Sequence, residues 1–168
     1  MAQPPRSTLR NRRIAGRAQE DHIRDPYEVT HKLHEPTVCV ACGAIYHHGR
    51  WQWSPQPEAA HQDHCPACRR IADAFPAGIL SVHGDFARDH KDEIANLARN
   101  EEAAEKAEHP LNRIMGVQDI EDGFEIQTTD IHLPHRIGRA VQRAFHGELG
   151  SHFDEKGYFV RVEWRRNA

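Results

Sequence analysis

The chain has 168 residues and a mass of 19.2 kDa, enough for one ordinary domain or two small ones and too little for a large multidomain enzyme. Hydrophobic residues make up 38% and charged residues 28%, so any core is modest, and a formal charge of -3 does not announce a nucleic-acid binder. No run approaches the roughly eighteen apolar residues of a membrane span, and the polar N-terminus has no apolar stretch that could serve as a secretory signal, so a soluble cytoplasmic protein is expected.

Charge is uneven along the chain. Residues 1–36 carry seven basic and five acidic side chains, and the first seventeen hold Arg6, Arg10, Arg12, Arg13 and Arg17 with no acid. Such an arm, with Pro4 and Pro5 and few apolar residues, is expected to be flexible when free and to condense onto phosphate, with Arg10, Arg12 and Arg13 as contacts. Residues 84–130 carry five bases against thirteen acids, whereas 131–168 carry seven against four. Fourteen histidines are scattered rather than clustered, which speaks against one histidine-built centre.

All four cysteines fall in two pairs, Cys39-Val40-Ala41-Cys42 and Cys65-Pro66-Ala67-Cys68. Two residues between thiolates let both sulfurs face one point, and two such knuckles complete a tetrahedral, structural Zn2+ site with no open position for substrate. A redox dithiol or a pair of disulfides fits less well, given two paired motifs and no secretory signal. Gly43 follows the first pair, where a knuckle often needs a left-handed residue, and Arg69-Arg70 follows the second, beside a centre of formal charge -2. His61 and His64 are spare nitrogens that four thiolates leave outside the ligand set.

Ala44–Trp53 reads as a hairpin turning at Gly49. Its aromatics, Tyr46, Trp51 and Trp53, either stack on bases or pack over the metal site in place of a core. Pro76-Ala77-Gly78 ends this zinc ribbon. A strand at Ile79–His83 comes next, then a helix from Asp85 with Phe86, Ile94, Leu97, Ala98 and Ala104 near one face, stopped by His109-Pro110. Its acids Glu101, Glu102, Glu105 and Glu108 read as a solvated face rather than a carboxylate metal site. Ile114–Val117 and Phe124–Gln127 flank Asp122-Gly123, a hairpin signal. Thr128, Thr129 and Asp130 offer caps to a second helix reaching about His146, and Tyr158, Val160, Val162 and Trp164 alternate along a last strand. Strand, helix, strand, strand, helix, strand is the ferredoxin-like βαββαβ order, with a four-stranded antiparallel sheet and both helices on one face.

In the second helix, Leu133, Ile137, Ala140, Val141, Ala144 and Phe145 fill one arc at 100° per residue. His132, His135, Arg136, Arg139, Arg143 and His146 fill the other without an acid. A single-sign stripe of this kind suits a phosphate backbone, because a guanidinium presents a planar fork to phosphate oxygens. Lys156–Arg161 resembles part of the RNA-recognition-motif signature, but Tyr158 and Phe159 are adjacent and must point to opposite faces. No Gly-rich Lys-Ser/Thr loop and no nucleophile–base set is present, so neither a P-loop ATPase nor another catalytic class is indicated.

The cysteine pairs with Gly43 and Arg69-Arg70, the following strand, the acidic helix and the Thr128-Thr129-Asp130 turn together resemble the N-terminal part of the nonsense-mediated-decay-protein-three family. These are the large-ribosomal-subunit export adaptors and their archaeal relatives; short bacterial proteins carrying only a ribbon and an α+β module are closer still. The likeness covers about residues 35–168. It implies a non-catalytic ribosome- or RNA-associated role with Cys39, Cys42, Cys65 and Cys68 holding zinc. The chain has one pair of knuckles where the adaptors carry more and lacks their later domains, so the resemblance does not extend to nuclear export.

Three regions are therefore expected: a basic arm over 1–36, a four-cysteine zinc ribbon over 37–75, and a ferredoxin-like α+β domain over 76–168. The expected function is binding of the ribosome or another structured RNA as an assembly, quality-control or stress-related factor. Its contacts would be Arg136, Arg139, Arg143, Arg69, Arg70 and the arm arginines, with Trp51 and Trp53 stacking and the acidic helix turned away from RNA. The alternative is a zinc-stabilised protein–protein interaction module in a stress or regulatory complex. No membrane or small-molecule partner is indicated.

Overall fold

The computed structural model describes residues 24–154 and 158–168; Arg10, Arg12 and Arg13 lie outside the described residues. The mixed α+β chain forms two sheets. The smaller sheet contains β1 (Thr37–Cys39), β2 (Ile45–His47), β3 (Arg50–Gln52) and β4 (His61–Asp63), in the order β3-β2-β1-β4. Strands β2 and β3 are the expected hairpin, turning at His48-Gly49. Gly49 has φ +76°, and the Glu35 carboxylate accepts the backbone N–H groups of both turn residues. The short β4, which sequence periodicity does not announce, runs parallel to β1 and so delivers the second cysteine pair beside the first.

The second pair opens a helix, α1 (Pro66–Asp73), rather than a further hairpin of a plain ribbon. Pro66 suits the first helical position because its missing N–H would have no intrahelical partner there. Residues 24–36, assigned by sequence to the arm, lie against this unit. Leu33 is buried, the Tyr27 hydroxyl donates to Asp73, and Asp25 is ion-paired to Arg70.

The larger sheet joins β5 (Gly78–His83), β6 (Ile114–Ile120), β7 (Gly123–Thr128), β8 (Glu148–Asp154) and β9 (Phe159–Arg165), in the order β6-β7-β5-β9-β8. The four-stranded antiparallel ferredoxin-like sheet is thus replaced by a five-stranded mixed one. Strand β8 is additional, and β5 runs parallel to β9 but antiparallel to β7. The physical reason is local: β8 (Glu-Leu-Gly-Ser-His-Phe-Asp) is an exposed edge strand with no alternating apolar set, and its insertion before β9 reverses the direction in which the last strand enters. The β6–β7 loop is Glu121-Asp122, one residue earlier than expected, since Ile120 pairs with Gly123. Gly123, at φ +145°, sits so close to β5 that a Cβ there would lie 1.9 Å from the Val82 carbonyl oxygen.

The helix expected from Asp85 is two, α2 (Asp85–Asp89) and α3 (Lys91–Glu108), broken at His90; the second expected helix is α4 (Leu133–Phe145). Leu80, Val82, Phe124, Ile126, Val160, Val162 and Trp164 of the sheet pack with Ala87, Ile94, Ala98, Leu133, Ile137 and Val141 of the helices in one core. Each large aliphatic or aromatic side chain buried there is worth roughly 1.5–3 kcal/mol. Ala104 and Ala144, expected on the apolar arcs, are exposed. Buried Asp130 anchors α4, its Oδ2 accepting from the backbone N–H groups of His132 and Leu133 at 2.8 and 3.0 Å. Asp130→Ala is expected to lower global stability by about 1–2 kcal/mol in urea unfolding, the usual worth of a helix cap; an unchanged midpoint would show that the turn holds without it.

Candidate metal centre and basic face

Cys39 ends β1 and Cys42 follows in a tight turn closed by Gly43, at φ +80°, whose N–H donates to the Cys39 carbonyl at 2.8 Å. Cys65 is the N-cap of α1, its sulfur accepting the Cys68 N–H at 3.4 Å, and the Cys65 N–H donates to the Cys39 sulfur at 3.2 Å. One thiol of each pair, Cys39 and Cys65, is buried, and all four are free rather than disulfide-bonded. The four sulfurs lie within 4.8 Å of one another, with Cys42 and Cys65 at 3.8 Å, and among the described residues they form the one cluster that could hold a metal ion. His61 and His64 are not part of it; the His61 ring stacks on His34 instead.

The sulfurs are electrostatically unequal. Burial pushes the Cys39 thiol upward, but N–H groups of Cys65, Cys42 and Ala41 aimed at its sulfur outweigh burial and bring it down to about 6. Burial dominates at Cys65 and Cys68, aided at Cys65 by the negative charge of Cys42 and Cys39, and raises both. A bound cation would favour all four thiolates.

Sequence reasoning missed the residue that answers this charge. Arg113, only 6% exposed, sits in the connection between α3 and β6. One terminal nitrogen donates to Cys42 at 3.1 Å and Cys65 at 3.4 Å, and the other to Cys68 at 3.3 Å. Its Nε donates to the Pro110 carbonyl at 2.7 Å, and its backbone N–H to the Thr129 hydroxyl at 2.9 Å. Burial works against its charge, but the sulfurs more than compensate and its pKa is raised. The guanidinium therefore covers one face of the sulfur cluster and ties the cysteine unit to the larger sheet. Its position, more than forty residues from the nearest cysteine, gave no local signal.

Arg69 and Arg70, grouped by sequence as RNA contacts, part company. Arg69 is exposed and paired with Asp63 at 2.7 Å. Arg70 is 1% exposed, paired with Asp25, donating to the Phe75 carbonyl and lying over the Tyr27 ring at 4.3 Å; it is an internal strut and cannot reach a phosphate. Trp51 packs on the cysteine cluster and meets Tyr46 edge to face at 5.5 Å. Trp53, 39% exposed, donates its indole N–H to the Lys106 carbonyl at 2.7 Å, closing the unit onto α3.

The acidic helix does not turn away from the basic one. Arg136 on α4 donates to Glu101 and Glu105 on α3 at 2.7 and 2.6 Å, so this arginine of the expected stripe is already neutralised. Glu105 also accepts from Asn112, and Glu102 accepts the Ile114 N–H, so three acids of the run read as solvated are structural. Arg139 and Arg143 remain exposed, with no ion-pair partner among the described residues. With His132, His135, Arg136 and Glu101 they line a concave surface of about 470 Å³. Burial and the neighbouring Arg139 and His132 charges lower the pKa of His135, in the direction expected where positive charge is concentrated.

Fold and site define a small mixed α+β protein in which a four-cysteine cluster able to take a metal ion is clamped to a five-stranded sheet by one buried arginine. No family model matches the chain, and neither a curated protein nor a solved structure does. No helix among the described residues is long and apolar enough to cross a membrane.

Proposed function

We propose that this chain is a non-catalytic, zinc-stabilised protein that binds structured RNA through the exposed face of α4, as an assembly, quality-control or stress-related factor on the cytoplasmic ribosome. Zinc is the metal the cluster favours. A tetrahedron with Zn–S bonds of about 2.3 Å has edges of about 3.8 Å, the separation found between Cys42 and Cys65. Four thiolates leave no open coordination position, so the ion's contribution is structural. The ribosome is the setting that the resemblance to the export-adaptor family implies.

The observation that carries the RNA reading is the pair of unpaired guanidiniums, Arg139 and Arg143, one helical turn apart beside two histidines on a concave face. Two forks at that spacing suit successive phosphates, and α3 screens only Arg136. The Arg139→Gln/Arg143→Gln double variant leaves the α3–α4 ion pairs intact. It is expected to weaken binding to a structured ribosomal RNA fragment about tenfold or more at low salt and to reduce the dependence of log K on log salt by about two, one per arginine. Nitrocellulose filter binding across a salt series reads both. Equal affinity and slope in the double variant would remove α4 from the interface, and ribosome association that survives nuclease treatment would favour the protein–protein module instead.

A further inference from the structure

A second cleft lies away from α4 and has no part in phosphate binding there. It has a volume of about 620 Å³, within the range of small-molecule sites, and five separate segments build it. Residues 24–33 contribute Arg24, Tyr27 and Leu33; the β2–β3 hairpin contributes Tyr46 and Trp51; Pro66 comes from α1; and Leu111 and Tyr158 come from the larger sheet's side. Three tyrosines and a tryptophan thus converge on one space. Trp51 also packs on the cysteine cluster, so its ring is held in place before any ligand arrives.

We infer that this cleft receives a single nucleobase, supplied either by an unpaired nucleotide of a bound RNA or by a free nucleotide. Planar aromatic walls take a base by stacking, whatever its identity. The Tyr46 and Tyr158 hydroxyls and the Trp51 indole N–H have no hydrogen-bond partner among the described residues, leaving groups that can meet the polar edge of a base. Arg24 on the lining can meet the attached phosphate. A quaternary or methylated ammonium is the other ligand that aromatic cages hold. The Arg70 guanidinium already lies 4.3 Å from the Tyr27 ring centre and is paired with Asp25, so part of the cage's pull on a second cation is used up; Glu28 still lines the cleft, and tetramethylammonium is the control that separates the two ligands.

The RNA arm of this inference rests on the function proposed above; the nucleotide arm does not. The test titrates the full chain, metal loaded, with AMP, CMP, GMP and UMP, and with ribose 5-phosphate and tetramethylammonium as controls. It follows the Trp51 indole N–H resonance, assigned as the signal lost in Trp51→Phe. The four nucleotides are expected to shift this signal saturably and the controls to leave it in place. Tyr46→Ser/Tyr158→Ser should weaken nucleotide binding tenfold or more, and Tyr46→Phe/Tyr158→Phe, which keeps the stacking faces, should restore most of it and guards against a variant that misfolds. In the second arm, a short RNA duplex with a single-stranded overhang should bind about tenfold tighter than the blunt duplex, a difference that the double serine variant abolishes. A shift at Trp51 with no overhang effect assigns the cleft to free nucleotides. Nucleotide binding with no RNA binding at low salt sinks the α4 reading and leaves the cleft standing. The inference is overturned if no nucleotide moves Trp51, or if either control moves it as far.

Discussion

Cys65→Ser is expected to abolish stoichiometric metal binding and to unfold the cysteine unit while leaving the larger sheet folded. Cys65 is fully buried at the centre of the cluster; its sulfur caps α1, and its N–H donates to the Cys39 sulfur. The unit around it has little else to hold it. Its strands are three residues each, and besides two cysteines and two alanines, with Trp51 and Leu111 packed alongside, its buried apolar side chains are Leu33, Val38 and Ile45. Burying so little apolar surface cannot offset the entropy of ordering about forty residues, whereas binding a structural zinc supplies roughly 10–16 kcal/mol of apparent free energy at neutral pH. The larger sheet keeps its own core around Trp164, which is 0% exposed. Metal analysis should find about one ion per wild-type chain and almost none in the variant. Amide exchange should lose protection over 37–73 and keep it over β5, β7, β9 and α4. Strong chelation of the wild type should give the same pattern. A variant that holds one zinc with protection intact would show that three thiolates suffice.

Arg113→Met is expected to cost about 3–5 kcal/mol and to weaken metal affinity about 10- to 100-fold. Four thiolates around a divalent cation leave a charge of -2, and the buried guanidinium is the cation that donates to three of the sulfurs. Methionine fills much of the same volume but leaves the sulfur charge without its partner in a dry site, which costs more than the pair itself contributes. It also frees the Pro110 carbonyl, and with the guanidinium–sulfur contacts gone the seam between the cysteine unit and the larger sheet loosens. Arg113→Lys should recover only part of the loss, because an ammonium is a point charge and cannot reach Cys42, Cys65 and Cys68 at once. Competition with a chromogenic chelator measures the affinity and urea unfolding the stability. Equal zinc affinity in wild type and Arg113→Met would mean that the guanidinium is a packing element and not the counter-charge of the centre.

The cysteine spacing was legible because metal ligation imposes a local rule: two thiolates two residues apart can meet one ion, so a pattern of four letters announces a contact between positions 39 and 68. The alternation of Val160, Val162 and Trp164 and the apolar arc of α4 were legible for the same kind of reason, since strand and helix repeats are written in consecutive residues. Strand β8 was not, because an exposed edge carries no apolar alternation, and its presence turned the expected sheet into a mixed five-stranded one. The roles of the arginines were opaque throughout. Arg70, Arg136 and Arg139 read alike as phosphate contacts and Arg113 carried no signal, yet the fold spends them differently: Arg70 is an internal strut, Arg113 a cap on sulfur, Arg136 a tie to α3, and Arg139 is left exposed.

What the chain determined by itself was chemistry that depends on neighbours in sequence: four sulfurs able to take one ion, the hairpins, and a helix with one apolar and one basic face. Only the tertiary structure decided which charges meet. It placed α3 beside α4 so that Arg136 is neutralised and Arg139 and Arg143 are not, set Arg113 against the cysteines, and drew four aromatics from distant segments around one cleft. The physical reason is that an ion pair or a stacking wall forms between side chains that pack together, and packing partners come from the burial of apolar faces over the whole chain, which no local spacing encodes.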